Sequence, residues 1–169
     1  MVEDGVFVDW QEKIAKQPIP YWDELPAVDL YMDQLVSYVN RLVTPLNMPV
    51  ITATMVNNYV KKKVIFAPVK KKYQAMQIAD VIIISLSKSL FSLDEIRQAI
   101  DVITKDEYPK KAYDRFVDAL RLRFKGEKPI PVPPSMAAER LMQDVADLVY
   151  QKLEAEFLLD QLVSQNGDR

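Results

Sequence analysis

Prolines limit where this chain can form helices. Eleven prolines occur against only three glycines, and proline inside a helix removes an amide donor and clashes with the preceding turn. Pro45 therefore ends one helical segment, whereas Pro109 suits the first turn of another. The four prolines within 127–134 predict an extended, semi-rigid spacer.

Between these points, apolar spacing predicts amphipathic helices. Apolar residues recur at steps of three and four over 27–43 and again over 109–126, with Gly126 at the end of the second segment. Ser92 and Glu95 form an S-x-x-E capping box at the start of a helix over 93–104.

Residues 74–90 allow two interpretations. The run Val81-Ile82-Ile83-Ile84 is rich in β-branched side chains and fits a buried strand. Apolar residues nevertheless keep helical spacing across the whole segment, and a buried helix tolerates apolar side chains all round. We therefore favour a helix here and an all-α, mainly helical chain.

Charge is unevenly distributed. No Asp or Glu occurs within 34–79, while this window holds one arginine and six lysines, leaving 15 basic against 24 acidic side chains elsewhere. The window thus carries a charge of +7 within a chain of net charge −2. Such asymmetry concerns the partners of the protein, and a negatively charged molecule such as nucleic acid is one that a basic window can attract.

The basic window contains a candidate recognition helix over 52–63 and a candidate basic wing over 64–73. Thr52 can cap the helix, and Val56 and Tyr59 then share an inner face. The opposite face is polar, and Asn and Lys are suited to adenine, guanine or phosphate in a DNA major groove. An asparagine here can instead bond to nearby backbone and only shape the turn. The residues predicted to contact DNA are Thr54, Asn57, Asn58, Lys61, Lys62, Lys63, Lys70, Lys71, Lys72 and Tyr73.

Several short motifs in and around the basic window resemble those of known protein families. Residues 51–65 resemble the recognition helix of MerR-type winged helix-turn-helix regulators, Tyr73 falls at the tyrosine that closes their wing, and FSLDEI at 91–96 is similar to their FSLEEI signature. LPAVDLYMDQ, MVNNYVKKK and KKKY more closely resemble an uncharacterised bacterial family, a domain of unknown function related to MerR-type proteins. The resemblance covers about 21–125 and implies a MerR-like winged helix-turn-helix with a short wing.

Three positions depart from the MerR-type pattern, and the spacing from Tyr73 to Phe91 is one residue shorter than in that pattern. Asn58 stands where those proteins usually have a second aromatic residue. Asn57 stands where those proteins usually have an arginine, which removes one phosphate contact. Lys63 stands at their glycine, where a left-handed backbone ends the helix. A lysine in that conformation costs about 1 kcal/mol relative to glycine.

The chain divides into an N-terminal arm (1–26), the helical domain (27–126), the spacer (127–134) and a long C-terminal helix (135–165). The arm is predicted to be partly helical and to pack its aromatic residues onto the domain. The C-terminal helix carries a broad apolar stripe that must be covered. It therefore either folds back or pairs two copies, and the MerR resemblance implies a possible homodimer.

Missing residue types argue against most enzymes. The sequence contains no Cys and no His, and its few glycines form no phosphate-binding loop. No metal, cofactor or catalytic residue is therefore predicted, and the protein is not expected to be an enzyme. The absence of a signal peptide or an apolar span predicts a cytoplasmic protein with no membrane partner.

Two functions fit this sequence. The first is a DNA-binding transcriptional regulator that uses the recognition helix and the wing on double-stranded DNA. The second is a non-enzymatic protein-interaction module with a degenerate helix-turn-helix, whose lysines attract an acidic protein. The presence of lysines at both the helix and the wing favours DNA.

Overall fold

The structure, a computed structural model, describes residues 2–167. These residues form seven α-helices: α1 (Asp4–Ala15), α2 (Met32–Val43), α3 (Ala53–Lys61), α4 (Ala75–Ser87), α5 (Leu93–Thr104), α6 (Pro109–Phe124) and α7 (Ala137–Gly167). Short 3₁₀ turns lie at Trp22–Glu24 and Thr44–Leu46. No strand occurs within 2–167, where extended pairing is limited to two isolated bridges. The predicted all-α class is confirmed.

The described residues fall into two compact units. One unit is continuous, runs from 18 to 117, and contains α2 to α5 with most of α6. The other joins 2–17 to 118–167 and contains α1, the end of α6 and α7. The predicted arm thus divides between the two units, and the proline-rich segment 127–134 lies inside the second.

Helix α4 forms the centre of the 18–117 unit. Its apolar residues, including Ile78, Val81, Ile82 and Ile84, are almost completely buried. The interpretation of this segment as a helix is confirmed, and the strand alternative is excluded. Between its first and last turns a helix satisfies its backbone hydrogen bonds within its own segment, so it can be apolar on all sides when other helices surround it.

Helix α2 begins later than its apolar spacing suggests. The segment 27–43 was predicted to be helical throughout, but the helix starts at Met32. The Leu30 amide and carbonyl instead exchange hydrogen bonds with Tyr73 at 2.9 and 2.7 Å, and the Tyr31 amide donates to Gln34 Oε1. A long-range backbone pair and a local cap therefore override the periodicity of this first turn.

The capping predictions for α5 and α6 are confirmed. The Glu95 amide donates to Ser92 Oγ at 3.1 Å, and the Ser92 amide donates to Glu95 Oε1 at 3.0 Å. Pro109 is the first residue of α6. Gly126 follows its end with φ of 79°, a left-handed conformation that favours glycine.

In the second unit, aromatic residues join α1 to α7. The rings of Trp10 and Phe157 are stacked with centroids 5.0 Å apart, and the ring centroid of Tyr150 lies 5.9 Å from that of Trp10. Tyr150 and Phe157 are seven residues apart and therefore share one face of α7. Helix α7 begins at Ala137 rather than at the predicted 135 and runs for 31 residues. Within the described part of the chain, no helix combines the length and apolar character needed to cross a membrane.

Candidate nucleic-acid interface

Helix α3 is capped and packed as its sequence predicts. The Met55 amide donates to the Thr52 hydroxyl oxygen at 3.2 Å. Val56 and Tyr59 are buried, so apolar burial fixes which side of the helix faces the core. The rotation of α3 about its axis is thereby determined.

The solvent-facing side of α3 carries Thr54, Asn57, Asn58 and Lys61. Steps of three and four residues place these four side chains on one face. Asn58 is half-buried and the other three are exposed. Among residues 2–167, neither asparagine side chain has a hydrogen-bond partner. The alternative in which one of them bonds to nearby backbone is therefore not observed.

The segment before α3 is held by Asn40 of α2. Its side-chain nitrogen donates to the Ile51 carbonyl at 3.0 Å, and its Oδ1 accepts from the Ile51 amide at 2.8 Å. Ile51 is itself buried. This bidentate pair sets where α3 starts, and sequence reasoning missed it because the partner is backbone eleven residues away.

Helix α3 ends at Lys63 in the left-handed conformation that was expected because MerR-type proteins have a glycine at this position. Lys63 has φ of 58°. Its amide donates to the Val60 carbonyl, and the Val64 amide donates to the Tyr59 carbonyl at 2.8 Å. Left-handed backbone costs a lysine about 1 kcal/mol. The predicted left-handed helix end is confirmed.

Residues 69–72 form a two-residue hairpin, which we call the basic hairpin. Val69 and Lys72 exchange two backbone hydrogen bonds, both 3.0 Å long. The two central residues, Lys70 and Lys71, have φ of 51° and 64°. Positive φ at both positions is the pattern of a type I′ turn, which normally uses Asn and Gly. Both lysine side chains are exposed at its tip.

The segment between α3 and the basic hairpin is held by two side chains that the sequence analysis did not identify. Gln77 of α4 is buried, and its Nε2 donates to the carbonyls of Phe66 at 3.2 Å and Ala67 at 2.7 Å. Arg97 of α5 donates to the Val64 carbonyl at 3.1 Å, with its guanidinium 5.9 Å from the Phe66 ring. Both side chains pair with backbone, which no side-chain pattern in the sequence reveals.

Arg97 is in turn held by acidic residues. It pairs with Asp80 at 3.1 Å and with Asp101 at 2.6 Å. Burial raises the pKa of Asp80 to about 6, although the neighbouring Arg97 acts in the opposite direction. A single aspartate within the apolar run of α4 was the available sequence signal, because a buried carboxylate requires a partner.

Two of the predicted DNA-contacting residues differ in placement from the others. Tyr73 is 2% exposed, and its backbone pairs with Leu30. Its ring therefore does not lie on the surface, which corrects its inclusion in the predicted set. Lys72 is half-buried, with its ammonium nitrogen 5.2 Å from the centre of the Tyr31 ring. The remaining predicted residues are at least partly accessible.

The six lysines of the basic window are free of ion pairs. Throughout 2–167, none of them lies within salt-bridge distance of a carboxylate. Lys71 also lines an open groove with Tyr31, Asp33 and Val36 of the α2 region and Ala53 of α3. The start of α3 and the tip of the basic hairpin therefore border one surface, to which Asp33 also contributes a carboxylate.

Comparison with known families identifies the chain. A family model described as a domain of unknown function, DUF1836, matches residues 20–116. This match covers more than half of the chain and nearly coincides with the compact unit 18–117. The protein belongs to the DUF1836 family. No functionally described protein and no solved structure matched it.

Proposed function

We propose that this member of the DUF1836 family is a DNA-binding transcriptional regulator with a MerR-like winged helix-turn-helix. In this proposal α2 and α3 form the helix-turn-helix, α3 is the recognition helix, and the basic hairpin is the wing. A regulator of this kind acts on double-stranded DNA in the cytoplasm and requires no cofactor.

One observation carries the proposal. The exposed face of α3 presents Thr54, Asn57, Asn58 and Lys61, and it is flanked by lysines that have no acidic partner within 2–167. Polar groups without an internal partner are available for a ligand, and the exposed face of α3, which carries no acidic residue, does not repel phosphate. If nothing bound to this surface, its lysines would repel one another and no negatively charged group would offset that repulsion.

The positions of these side chains suit some of them to contact bases and others to contact phosphates. An asparagine amide presents a donor and an acceptor together, which matches N6 and N7 of adenine. Asn57, Asn58 and Lys61 would therefore reach base edges. Lys62, Lys63, Lys70 and Lys71 are exposed at the end of the helix and at the hairpin tip, and they would contact phosphates.

Backbone strain supports a use for these lysines. Of the four non-glycine residues with positive φ within 2–167, three are Lys63, Lys70 and Lys71. Each would be less strained as glycine or asparagine, by about 1 kcal/mol. Strained residues persist where their side chains are needed, which makes these positions candidates for function.

The proposal is tested by relieving the strain and removing the charge together. Changing Lys70→Asn with Lys71→Gly installs the residues that a type I′ turn prefers, so the variant should be at least as stable as the wild type. Its binding to DNA should weaken equally for preferred and random duplexes. The slope of log affinity against log salt should become shallower by about 1.8, because each phosphate contact contributes about 0.9.

A matched control removes two lysines elsewhere. Lys13 and Lys16 are exposed on or beside α1 in the other unit. Lys13→Ala with Lys16→Ala lowers the net charge by the same amount and should leave affinity and slope nearly unchanged. Equal losses in both double variants would indicate attraction by total charge alone. A wild-type protein without salt-dependent DNA binding would instead favour the protein-interaction module.

We propose further that the protein dimerises through α7. Met142, Ala146, Val149 and Leu153 bury one side of this helix within its own unit, so part of the predicted stripe does fold back. A separate row, Leu141, Leu148 and Leu162, remains exposed at multiples of seven residues. Seven-residue spacing of apolar side chains suits packing against another helix.

The dimer is tested with point substitutions, because removing α7 would also uncover Trp10 of α1. Leu148 and Leu162 of this row are exposed, at 40% and 48%. Leu148→Lys with Leu162→Lys should leave the helical content unchanged and convert a dimer to a monomer in analytical ultracentrifugation. A wild-type protein that sediments as a monomer at micromolar concentration would refute this part of the proposal.

A further inference from the structure

We infer that Lys72 is a positioning residue that sets the basic hairpin against the start of α2, and that it is not a phosphate ligand. This inference rests on the proposed DNA-binding function. It divides the three hairpin lysines, which are equivalent in sequence, into two phosphate contacts and one internal support.

The geometry separates Lys72 from its neighbours. Lys70 and Lys71 are exposed, whereas Lys72 is half-buried with Nζ 5.2 Å from the centroid of the Tyr31 ring. A cation at this distance is attracted to the ring face, and the methylene groups of a lysine can cover apolar surface beside its charged end. The ammonium group of Lys72 therefore lies against Tyr31, the residue before α2.

The backbone beside this contact reinforces it. Leu30 and Tyr73, the residues next to Tyr31 and Lys72, exchange two backbone hydrogen bonds. Lys72 itself closes the hairpin through both of its bonds to Val69. The side-chain contact thus continues a short antiparallel pairing between the base of the hairpin and the segment that precedes α2.

This arrangement positions the tip. Lys71 borders the groove that Tyr31 and Ala53 also line, so the placement of the hairpin against Tyr31 determines where Lys71 lies relative to α3. A hairpin with a single pair of backbone bonds has little stability of its own. Without the contact to Tyr31, the two tip lysines would occupy a wider range of positions.

The test compares methionine substitutions at neighbouring positions. Lys71→Met removes a charge at the tip, and the salt slope should become shallower by about 0.9. Lys72→Met removes the same charge but keeps an unbranched apolar chain over Tyr31. Its slope should equal that of the wild type and its affinity should remain within about twofold.

Loss of the contact itself is tested with alanine. Lys72→Ala and Tyr31→Ala should each weaken binding by about two- to fivefold, on preferred and random duplexes alike. The double variant should be no weaker than either single variant, because both changes remove one contact. Tyr31→Phe keeps the ring and should bind like the wild type.

Two results would refute this role for Lys72. If Lys72→Met and Lys71→Met make the slope shallower by the same amount, Lys72 contacts phosphate and the inference is wrong. Additive losses in the Tyr31→Ala and Lys72→Ala double variant would also overturn it.

A measurement without DNA separates failure of this inference from failure of the proposed function. The ring current of Tyr31 should shift the ε-methylene protons of Lys72 upfield in the NMR spectrum of the wild type. Tyr31→Ala should remove that shift. Unshifted Lys72 protons in the wild type would overturn the contact, whatever DNA binding shows. Absent DNA binding with shifted protons would overturn only the function.

Discussion

The change Gln77→Glu tests how the segment before the basic hairpin is held. Gln77 Oε1 accepts from the Gln74 amide at 2.6 Å, while its Nε2 donates to the carbonyls of Phe66 and Ala67. A carboxyl group can keep the first bond. An ionised carboxyl group has no proton for the other two bonds, and a protonated one has a proton for only one of them. The substitution therefore keeps the helix cap and removes at least one bond to the segment before the hairpin.

The magnitude follows from burial. Gln77 is only 3% exposed, so a carboxylate facing two carbonyl oxygens would be strongly disfavoured and would take up a proton. The protonated form can donate to one carbonyl, which leaves a loss of about 1 kcal/mol for the other bond. Keeping this carboxyl group protonated at pH 7, when its ordinary pKa is about 4.3, raises the loss of folding stability by up to about 4 kcal/mol more.

The pH dependence has a definite sign. A group whose pKa is raised in the folded state contributes stability below its unfolded pKa, and this contribution is lost as pH rises. The destabilisation caused by Gln77→Glu should therefore be about 1 kcal/mol at pH 4 and grow to several kcal/mol at pH 7. Urea unfolding followed by circular dichroism at both pH values measures it.

The chain contains a matched control. Gln34 occupies the same position of α2, accepts from the Tyr31 amide at 2.9 Å, and is exposed. Gln34→Glu places a negative charge in a helical first turn, where it is tolerated or mildly stabilising. Its free energy of unfolding should stay within about 0.5 kcal/mol of the wild type at both pH values. A pH-independent loss for Gln77→Glu, or an equal loss in the control, would refute the buried-donor reasoning.

Three further predictions concern single residues. Asn58→Ala should cost about 1–3 kcal/mol on the preferred DNA site and much less on random DNA, with little change in melting temperature; equal losses in a fluorescence titration would make Asn58 a general positioning residue. Lys63→Gly should stabilise the fold by about 1 kcal/mol in urea unfolding while weakening DNA binding, and a less stable variant would contradict the strain at its positive φ. Because burial raises the pKa of Asp80 to about 6, its contribution to stability should fall by about 2 kcal/mol as pH rises from 4 to 6. Asp80→Asn should remove this slope, and an unchanged pH profile would show that Asp80 is not the group responsible.

Much of the helical pattern could be predicted because it depends on residues close in sequence. The caps at Thr52 and Ser92, the helix starting at Pro109 and the left-handed end at Lys63 all follow from hydrogen bonds or steric limits within one turn. The start of α2 was placed too early. Periodicity could not register that Leu30 is paired with backbone 43 residues further along the chain.

The candidate surface was only partly predictable. Spacing alone places Thr54, Asn57, Asn58 and Lys61 on one face, since helical geometry is the same in any fold. Burial of Tyr73 was not foreseen, because a tyrosine in a basic segment has the same local pattern whether it faces solvent or core. Its exposure depends on what packs against it.

The sequence by itself determined where most of the helices form, the caps at Thr52 and Ser92 and the position of the basic window, because these depend on side-chain type and on neighbours within about four residues. Only the tertiary structure decided how the basic segment is held. Asn40 pairs with Ile51, Gln77 with Ala67, and Lys72 with Tyr31. Each contact brings together residues from different parts of the chain. The sequence around an asparagine, glutamine or lysine does not show whether its side chain will bind distant backbone, an aromatic ring or water. Packing of the apolar helices brings these groups within reach, and so decides which lysines remain free for a ligand.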